Sequence, residues 1–241
     1  MKYTIAIPLL FITLLLSGCF YPNSQLSKNQ VPNDVQLEMV QNAVDQYVER
    51  QQGLVPIKTK TNDTPIFEKY LLDFSLLKQE GIMQSVPGTA FENGGLYQYV
   101  LITPEDNPRV KLIDLRISAQ LRTVKQRLNV YRSEHIYPPF GEEVAEGVFS
   151  IDTELLNLDE VPYIVSPFTQ KNLPIVMDID GNLYVDYSQD LYEALQKFEH
   201  DYKQGDDIRY ILAENYPFVP AYSLPYTIKN NEPTFLKQEE K

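Results

Sequence analysis

Residues 173–187 read LPIVMDIDGNLYVDY and contain the clearest strand–turn–strand pattern in the chain. The two flanking runs, Leu173–Ile179 and Asn182–Tyr187, are rich in the β-branched, aromatic and other apolar residues typical of strands. Asp180-Gly181 between them favours the positive φ values of a tight two-residue turn. The pattern predicts an antiparallel hairpin, in which each strand pairs with its neighbour in sequence.

A second hairpin is predicted upstream. Leu96–Thr103 and Val110–Leu115 have the composition of strands, and Pro104–Pro108 between them has that of a turn. Apolar residues spaced three and four apart predict helices around both hairpins. These helices run from Asn33 or Asp34 to about Gln52, from Thr64-Pro65 to Gly81, from a Ser118 cap to a point before Tyr137, from a Ser188 cap through Asp190 to about Tyr202, and over 207–213.

The two halves of the chain show the same order of elements. Four apolar residues of the first helix align at one constant offset with four of the third: Leu37, Val40, Val44 and Tyr47 with Leu121, Val124, Leu128 and Tyr131. After small deletions Pro56 aligns with Pro139, and Phe67 with Phe149. Any two amphipathic helices align on their apolar stripes, so the alternative is coincidence. The shared order favours a degenerate tandem repeat.

The predicted fold class is α+β, with two helix–hairpin units, a C-terminal helix and an aromatic, proline-rich segment. The predicted divisions are a signal peptide (1–18), Cys19 with a polar tether (19–34), a first unit (35–116), a second unit with the C-terminal helix (117–228) and a polar, frayed tail (229–241).

The N-terminus has the pattern of a secretory signal. Lys2 precedes the apolar run Ile5–Leu16, which is shorter than the roughly 20 residues that a membrane-spanning helix needs. Leu16-Ser17-Gly18-Cys19 then resembles the lipobox of bacterial lipoproteins. The resemblance implies that Cys19 carries diacylglycerol, becomes the mature N-terminus and holds the protein on the outer face of the cell membrane of a Gram-positive cell. The alternative is a plain signal peptide or one anchoring helix.

Composition limits the partners and the chemistry. The chain has 33 acidic and 21 basic residues and a net charge of −12, which argues against binding to nucleic acid or anionic lipid. Cys19 is the only cysteine, so a disulfide within the chain is excluded and the fold depends on packing.

Two family resemblances concern the folded part. In residues 36–100, Gly53-Leu54-Val55-Pro56 and Gly95-Leu96-Tyr97-Gln98-Tyr99 resemble motifs in the ectodomains of type II secretion pseudopilins. The continuous hydrophobic helix of that family is missing, so this resemblance implies only a helix-plus-hairpin fold. The whole chain also resembles the YphF-like lipoproteins of Bacillus-type bacteria, which implies a location and no particular chemistry.

Asp178-Ile179-Asp180-Gly181 offers two chemical interpretations. It resembles the first motif of haloacid dehalogenase-type phosphatases, but the chain after it lacks alternating strands and helices. Its oxygens could also bind calcium, although Gly181 comes too early for a helix–loop–helix calcium site. Neither His135 nor His200 has the spacing of a zinc site. A hairpin turn is therefore favoured, and no catalytic residue, metal or cofactor is predicted.

The remaining candidate site lies in the proline-broken segment 216–226. Its aromatic residues could stack on sugars or grip an extended peptide, and they are the predicted ligand-binding residues: Tyr216, Phe218, Tyr222 and Tyr226. The alternative is that these rings pack against the preceding helices.

Three functions fit these patterns. The preferred one is a non-enzymatic, membrane-anchored lipoprotein that binds a partner protein or a cell-wall component. The alternatives are a solute-binding lipoprotein of a transporter and a carboxylate-based cell-wall hydrolase. The hydrolase would need two converging acidic side chains and a raised pKa in one cleft.

The lipobox interpretation predicts the outcome of metabolic labelling with a clickable fatty acid. We expect the label to enter the wild-type chain and not a Cys19→Ser variant, because only a thiol accepts the diacylglycerol. A wild-type chain that takes no label would contradict the interpretation.

Overall fold

The computed structural model describes residues 33–236, which form six α-helices and small antiparallel sheets. The predicted α+β class is confirmed. The signal peptide, Cys19 and the tether through Pro32 lie outside the described residues, as does the end of the predicted tail after Leu236. Across 33–236, no helix combines the length and apolar character needed to cross a membrane.

The N-terminal half consists of helices followed by one hairpin. Its elements are α1 (Asn33–Arg50), α2 (Ile66–Lys69), α3 (Phe74–Gln79), a 3-10 helix (Phe91–Asn93), β1 (Tyr97–Ile102) and β2 (Arg109–Asp114). The predicted first helix is confirmed, because Val40 and Val44 are fully buried and Gly53, with a φ of 97°, follows its end. The β1–β2 hairpin is confirmed as well, in a register that pairs Tyr97 with Asp114.

The single helix predicted from Thr64 to Gly81 is wrong. An extended segment, Tyr70–Asp73, separates α2 from α3 and adds to the outer edge of β1. Leu72 N donates to Tyr99 O at 2.9 Å, and Leu101 N donates to Tyr70 O at 2.9 Å. The neighbouring side chains Leu71 and Leu72 are both buried in different clusters, because an extended backbone points successive side chains to opposite faces.

The C-terminal half adds a long helix and a five-stranded antiparallel sheet. Its elements are α4 (Leu115–Glu134), β3 (Phe140–Ala145), β4 (Val148–Ile151), β5 (Tyr163–Val165), β6 (Asn172–Asp178), β7 (Leu183–Val185), α5 (Ser188–Lys197), α6 (Tyr210–Asn215), β8 (Tyr226–Lys229) and β9 (Glu232–Phe235). β6 is the centre of the sheet and pairs with β4, β5 and β7.

Two predicted helix caps are wrong. The third predicted helix, α4, begins directly after β2, and Asp114 caps it by accepting from Arg116 N at 2.9 Å. Ser118, the predicted cap, lies inside α4. Likewise α5 begins at Ser188 itself, whose N–H donates to the Asp186 carboxylate at 2.8 Å. This helix also ends at Lys197 rather than near Tyr202.

The β6–β7 loop and the C-terminal tail also differ from prediction. The β6–β7 hairpin is confirmed, but its loop is longer than two residues and spans Ile179-Asp180-Gly181-Asn182, with Gly181 at a φ of 81°. The predicted frayed tail contains β9, which pairs with β8 around Asn230-Asn231. Both asparagines have positive φ (53° and 63°), so this turn has the chemistry of a two-residue hairpin loop.

The alignment of Phe67 with Phe149 is wrong, because Phe67 lies in α2 and Phe149 in β4. The two aligned helices do each bury one apolar face, since Val40 and Val44 in α1 correspond to Val124 and Leu128 in α4. The tandem repeat and the division into two units stay predictions.

A backbone junction joins the two halves. Leu112 of β2 donates to Pro217 O at 2.9 Å and accepts from Val219 N at 3.0 Å. Beside it Lys111 Nζ donates to Tyr216 O at 2.7 Å. Burial, and less strongly the neighbouring Arg109 guanidinium, lower the pKa of Lys111 to about 8. Side chains from both halves pack into one cluster here: Phe67, Leu71, Val100, Ile102 and Ile113 with Ala213, Val219 and Ala221.

A methyl group at Gly95 is predicted to destabilise the fold, because its Cβ would lie 2.1 Å from the backbone carbonyl carbon of Thr89. We expect Gly95→Ala to lower the free energy of unfolding by at least about 3 kcal/mol. The control is Gly81→Ala, where a φ of 67° is the only obstacle, with an expected cost of about 1 kcal/mol. Urea unfolding measures both, and equal costs would contradict the close approach at Gly95.

Candidate partner-binding surface

Three exposed large apolar side chains, including the two most exposed ones in residues 33–236, lie at one end of the C-terminal half. Ile136, Tyr137 and Ile179 expose 85 %, 75 % and 65 % of their surface, and we call these three residues the exposed tip. Ile136 and Tyr137 follow the end of α4, whereas Ile179 lies in the β6–β7 loop. Exposed apolar side chains that cluster are typical of binding surfaces, whereas isolated ones are ordinary.

Two basic side chains of α4 hold the β6–β7 loop in place. Arg132 Nη1 donates to Asp180 O at 2.8 Å, and Lys125 Nζ donates to Gly181 O at 2.9 Å. The loop also lies against the segment after α4, since a Cβ built on Gly181 would be 3.2 Å from Pro138 Cγ. These contacts fix the position of Ile179 relative to Ile136 and Tyr137.

The β3–β4 turn is the third element at this end. A Cβ on Gly147 would lie 3.7 Å from Ile179 Cγ2, and Gly147 N donates to the Glu143 carboxylate at 3.1 Å. Three exposed carboxylates belong to these elements, beside the exposed guanidinium of Arg132: Glu143, Glu146 and Asp180. A partner with an apolar pocket and a basic rim would complement this surface.

His135 adjoins the exposed tip but has a structural contact. Its ring stacks on Tyr131 with centroids 4.0 Å apart, and its Nδ1 lies 2.9 Å from Tyr131 O. His200 lies elsewhere, with its ring 5.7 Å from that of Tyr202. Across residues 33–236, no group of three or more His, Cys, Asp or Glu side chains is arranged to hold a metal ion.

Asp178 organises the turn that sequence reasoning considered as a phosphatase or calcium site. Its Oδ1 accepts from Asp180 N at 3.0 Å and Asn182 N at 2.8 Å. Its Oδ2 accepts from Asn182 Nδ2 at 2.9 Å and from the Tyr184 hydroxyl at 3.1 Å. The carboxylate is therefore occupied by local hydrogen bonds, as the hairpin interpretation predicts. Burial, with the Asp178 charge, raises the pKa of Tyr184 well above its ordinary value.

The aromatic segment packs against the body of the protein. Tyr226 is fully buried, and its hydroxyl donates to Asp186 at 2.7 Å. The Tyr216 ring contacts Phe168 and Phe198, with centroids 5.5 and 5.6 Å away.

The other two predicted ligand-binding residues are partly buried. Phe218 packs edge-on against Tyr97 at 5.4 Å, and Tyr222 adopts a φ of 58° while its N–H donates to Glu68. The packing interpretation therefore describes the main contacts of this segment. A role of Tyr216, Phe218, Tyr222 and Tyr226 in ligand binding stays a prediction.

Among residues 33–236, burial raises the pKa of two carboxyl groups, and each group has its own hydrogen-bond partners. Glu68 accepts from Tyr222 N at 3.0 Å. Asp190 accepts from the hydroxyls of Ser166 and Thr169 at 2.7 and 2.6 Å. The two groups share no hydrogen-bond partner, so this geometry does not favour a hydrolase that works through a converging pair.

Sequence reasoning missed the exposed tip. The sequence pattern predicts only the end of a helix at Tyr137-Pro138-Pro139 and the end of a strand at Ile179. The available signal was two large apolar residues, Ile136 and Tyr137, placed just after a polar helix end and before two prolines.

Comparison with known protein families gives a match over part of the chain. Residues 33–114 match the family model described as the YphF family N-terminal domain. The matched range begins with α1 and ends with β2. It therefore covers the N-terminal half and stops one residue before α4 begins. This match confirms the predicted YphF resemblance for that range. Neither the curated proteins nor the solved structures gave a match.

The raised pKa of Glu68 predicts how the stability of a variant depends on pH. Burial disfavours the charged carboxylate, so the folded state loses stability relative to the unfolded one as pH rises past the ordinary pKa of 4.5. We expect Glu68→Gln, which keeps an acceptor for Tyr222 N, to be more stable than the wild type at pH 7. The advantage should shrink below pH 4.5, where both states are protonated.

Urea unfolding at a series of pH values measures this difference, with Glu199→Gln at an exposed position as the control. A Glu68→Gln variant that is less stable at pH 7 would show instead that attraction between the Glu68 charge and Arg209 outweighs burial.

Proposed function

We propose that the protein is an extracytoplasmic, membrane-anchored lipoprotein of non-enzymatic type that uses the exposed tip to bind a partner protein. The observation that carries the proposal is the exposed tip itself. It is apolar, exposed and held by hydrogen bonds from α4.

The anchor is supported by the sequence. Leu16-Ser17-Gly18-Cys19 follows an apolar run of signal-peptide length, and only residues 20–32 separate Cys19 from the start of α1. A chain of that length spans at most about 45 Å when fully extended. The folded part would therefore find its partner close to the membrane, either in the membrane itself or on its outer surface.

The geometry of the exposed tip favours a protein partner over a wall polymer. Tyr137 presents a large, rigid side chain with a polar end, the type of residue that dominates the binding energy of protein interfaces. Ile136 and Ile179 add aliphatic surface, which a protein pocket can bury but a hydrated sugar chain cannot. Because α4 already fixes the β6–β7 loop, little conformational entropy is lost there on binding.

The acidic character of this protein indicates the charge of its partner. Glu143, Glu146 and Asp180 are exposed on the elements that carry or adjoin the exposed tip, and the whole chain has a net charge of −12. A basic rim on the partner would accelerate association, in a way that weakens with added salt.

Photo-crosslinking in cells tests this proposal. A photoreactive residue in place of Val144, which is exposed on β3, should capture a distinct partner. In the same chain, Ile136→Ser with Tyr137→Ser should lower the yield about tenfold or more, because truncated central anchor residues typically cost 2 kcal/mol or more.

The matched control replaces a different exposed apolar residue, Leu54→Ser, and should leave the yield unchanged. Capture that survives the double substitution at the exposed tip, or that falls equally with Leu54→Ser, would contradict the proposal. Circular dichroism of each variant verifies that the fold persists.

A further inference from the structure

A second candidate site lies where the two halves meet, and it shares no residue with the exposed tip. A cavity of about 240 Å³ opens between α2, the β1–β2 turn and α6. Its lining includes Ile66, Phe67, Tyr70, Glu105, Asp106 and Tyr210. We call this cavity the aromatic cleft.

Aromatic side chains provide much of its wall. Phe67 is buried, and its ring packs against that of Tyr210 with centroids 5.1 Å apart. Tyr70 and Tyr210 are half-buried, so part of each ring faces the cavity that they line. Ile66 adds aliphatic surface. Such walls accept alkyl groups, and the faces of aromatic rings attract cations.

Two exposed carboxylates line the aromatic cleft. Glu105 and Asp106 are exposed on the β1–β2 turn, and none of the ion pairs in the described part of the chain includes either of them. Thr103 holds this turn, with a φ of 48° and an Oγ1 that donates to Asn107 O at 2.6 Å. A β-branched residue rarely adopts such a φ, so the surroundings of the turn must fix its shape.

Two cationic side chains of the protein already lie near these rings. Lys69 Nζ lies 5.7 Å from the ring centroid of Tyr70, and Arg209 Cζ lies 5.1 Å from that of Phe67. Neither Lys69 nor Arg209 lines the cavity, and its lining contains no basic residue.

We infer that the aromatic cleft binds an alkylammonium group, the chemistry shared by a lysine side chain and a free aliphatic amine. The alkyl chain lies against Ile66 and the aromatic rings, and the ammonium lies near Glu105 and Asp106. An anion would meet two carboxylates and no basic lining residue. This site is separate from the partner-binding surface and does not depend on the membrane anchor.

Nuclear magnetic resonance titration of the full-length chain tests the inference. The probes are Nα-acetyl-lysine methylamide, the uncharged Nα-acetyl-norleucine methylamide and the free amine cadaverine. For so small a site, we expect the lysine compound or cadaverine to bind with a Kd on the order of 1–10 mM. Norleucine should bind at least fivefold more weakly. Tighter binding of the lysine compound than of cadaverine indicates a peptide source, and the reverse indicates a free amine.

Substitutions locate the site. Glu105→Gln with Asp106→Asn should weaken binding at least fivefold, whereas Glu199→Gln with Asp201→Asn, the same charge change at exposed positions elsewhere, should not. Tyr70→Leu should weaken binding and Tyr70→Phe should preserve it. Lys69→Gln should strengthen binding, because it removes a competing cation from the Tyr70 ring.

Three results would overturn the inference. They are equal binding of the norleucine and lysine compounds, equal loss of binding in the two charge-matched double variants, and no shift of cleft resonances with either amine at tens of millimolar.

Discussion

Leu112 makes two backbone hydrogen bonds with the chain near its C-terminal end, to Pro217 O and from Val219 N. These bonds pair the outer edge of β2 at Leu112, while the bridge between Leu71 and Val100 pairs the outer edge of β1, and buried clusters lie on both faces of the hairpin. The cluster that contains Val40 and Val44 of α1 lies on one face, and Val219 and Ala221 lie on the other. Two features depend on this arrangement. α6 comes to lie beside α2, which creates the aromatic cleft, and β2 leads through the Asp114 cap directly into α4, whose far end carries the exposed tip.

Elements determined by local chemistry could be predicted from the sequence. The α1 stripe through Val40 and Val44, the β1–β2 hairpin and the β6–β7 hairpin all follow from periodicity and turn residues. Tyr70–Asp73 could not be predicted in this way, because its extended form depends on hydrogen bonds to β1, a partner distant in sequence. Tertiary contacts override helical spacing there. The Asn230-Asn231 turn did carry a local signal, which the polar composition of the tail concealed.

The candidate sites, too, could be predicted from the sequence only where their contacts are local. Asp178 could be assigned to a turn from the sequence, since its hydrogen bonds are local. The exposed tip and the aromatic cleft each combine side chains from segments far apart in the chain, and no single segment contains their pattern. The aromatic residues of segment 216–226 predict a ligand-binding site. In the structure, this segment pairs with β2 through Pro217 and Val219. The membrane anchor at Cys19 depends on the sequence motif alone.

Leu112 and the mixed cluster beside it join the two halves, and we therefore expect the halves to unfold as one unit. Native-state hydrogen exchange of the full chain tests it most directly, by comparing the amides of Val44 in α1 and Leu191 in α5. We predict equal free energies of opening for both amides. Val219→Ala, at a buried position of the junction, should lower both equally by about 2 kcal/mol. Different free energies in the wild type, or a loss confined to one half, would show that the halves unfold independently and would contradict the account.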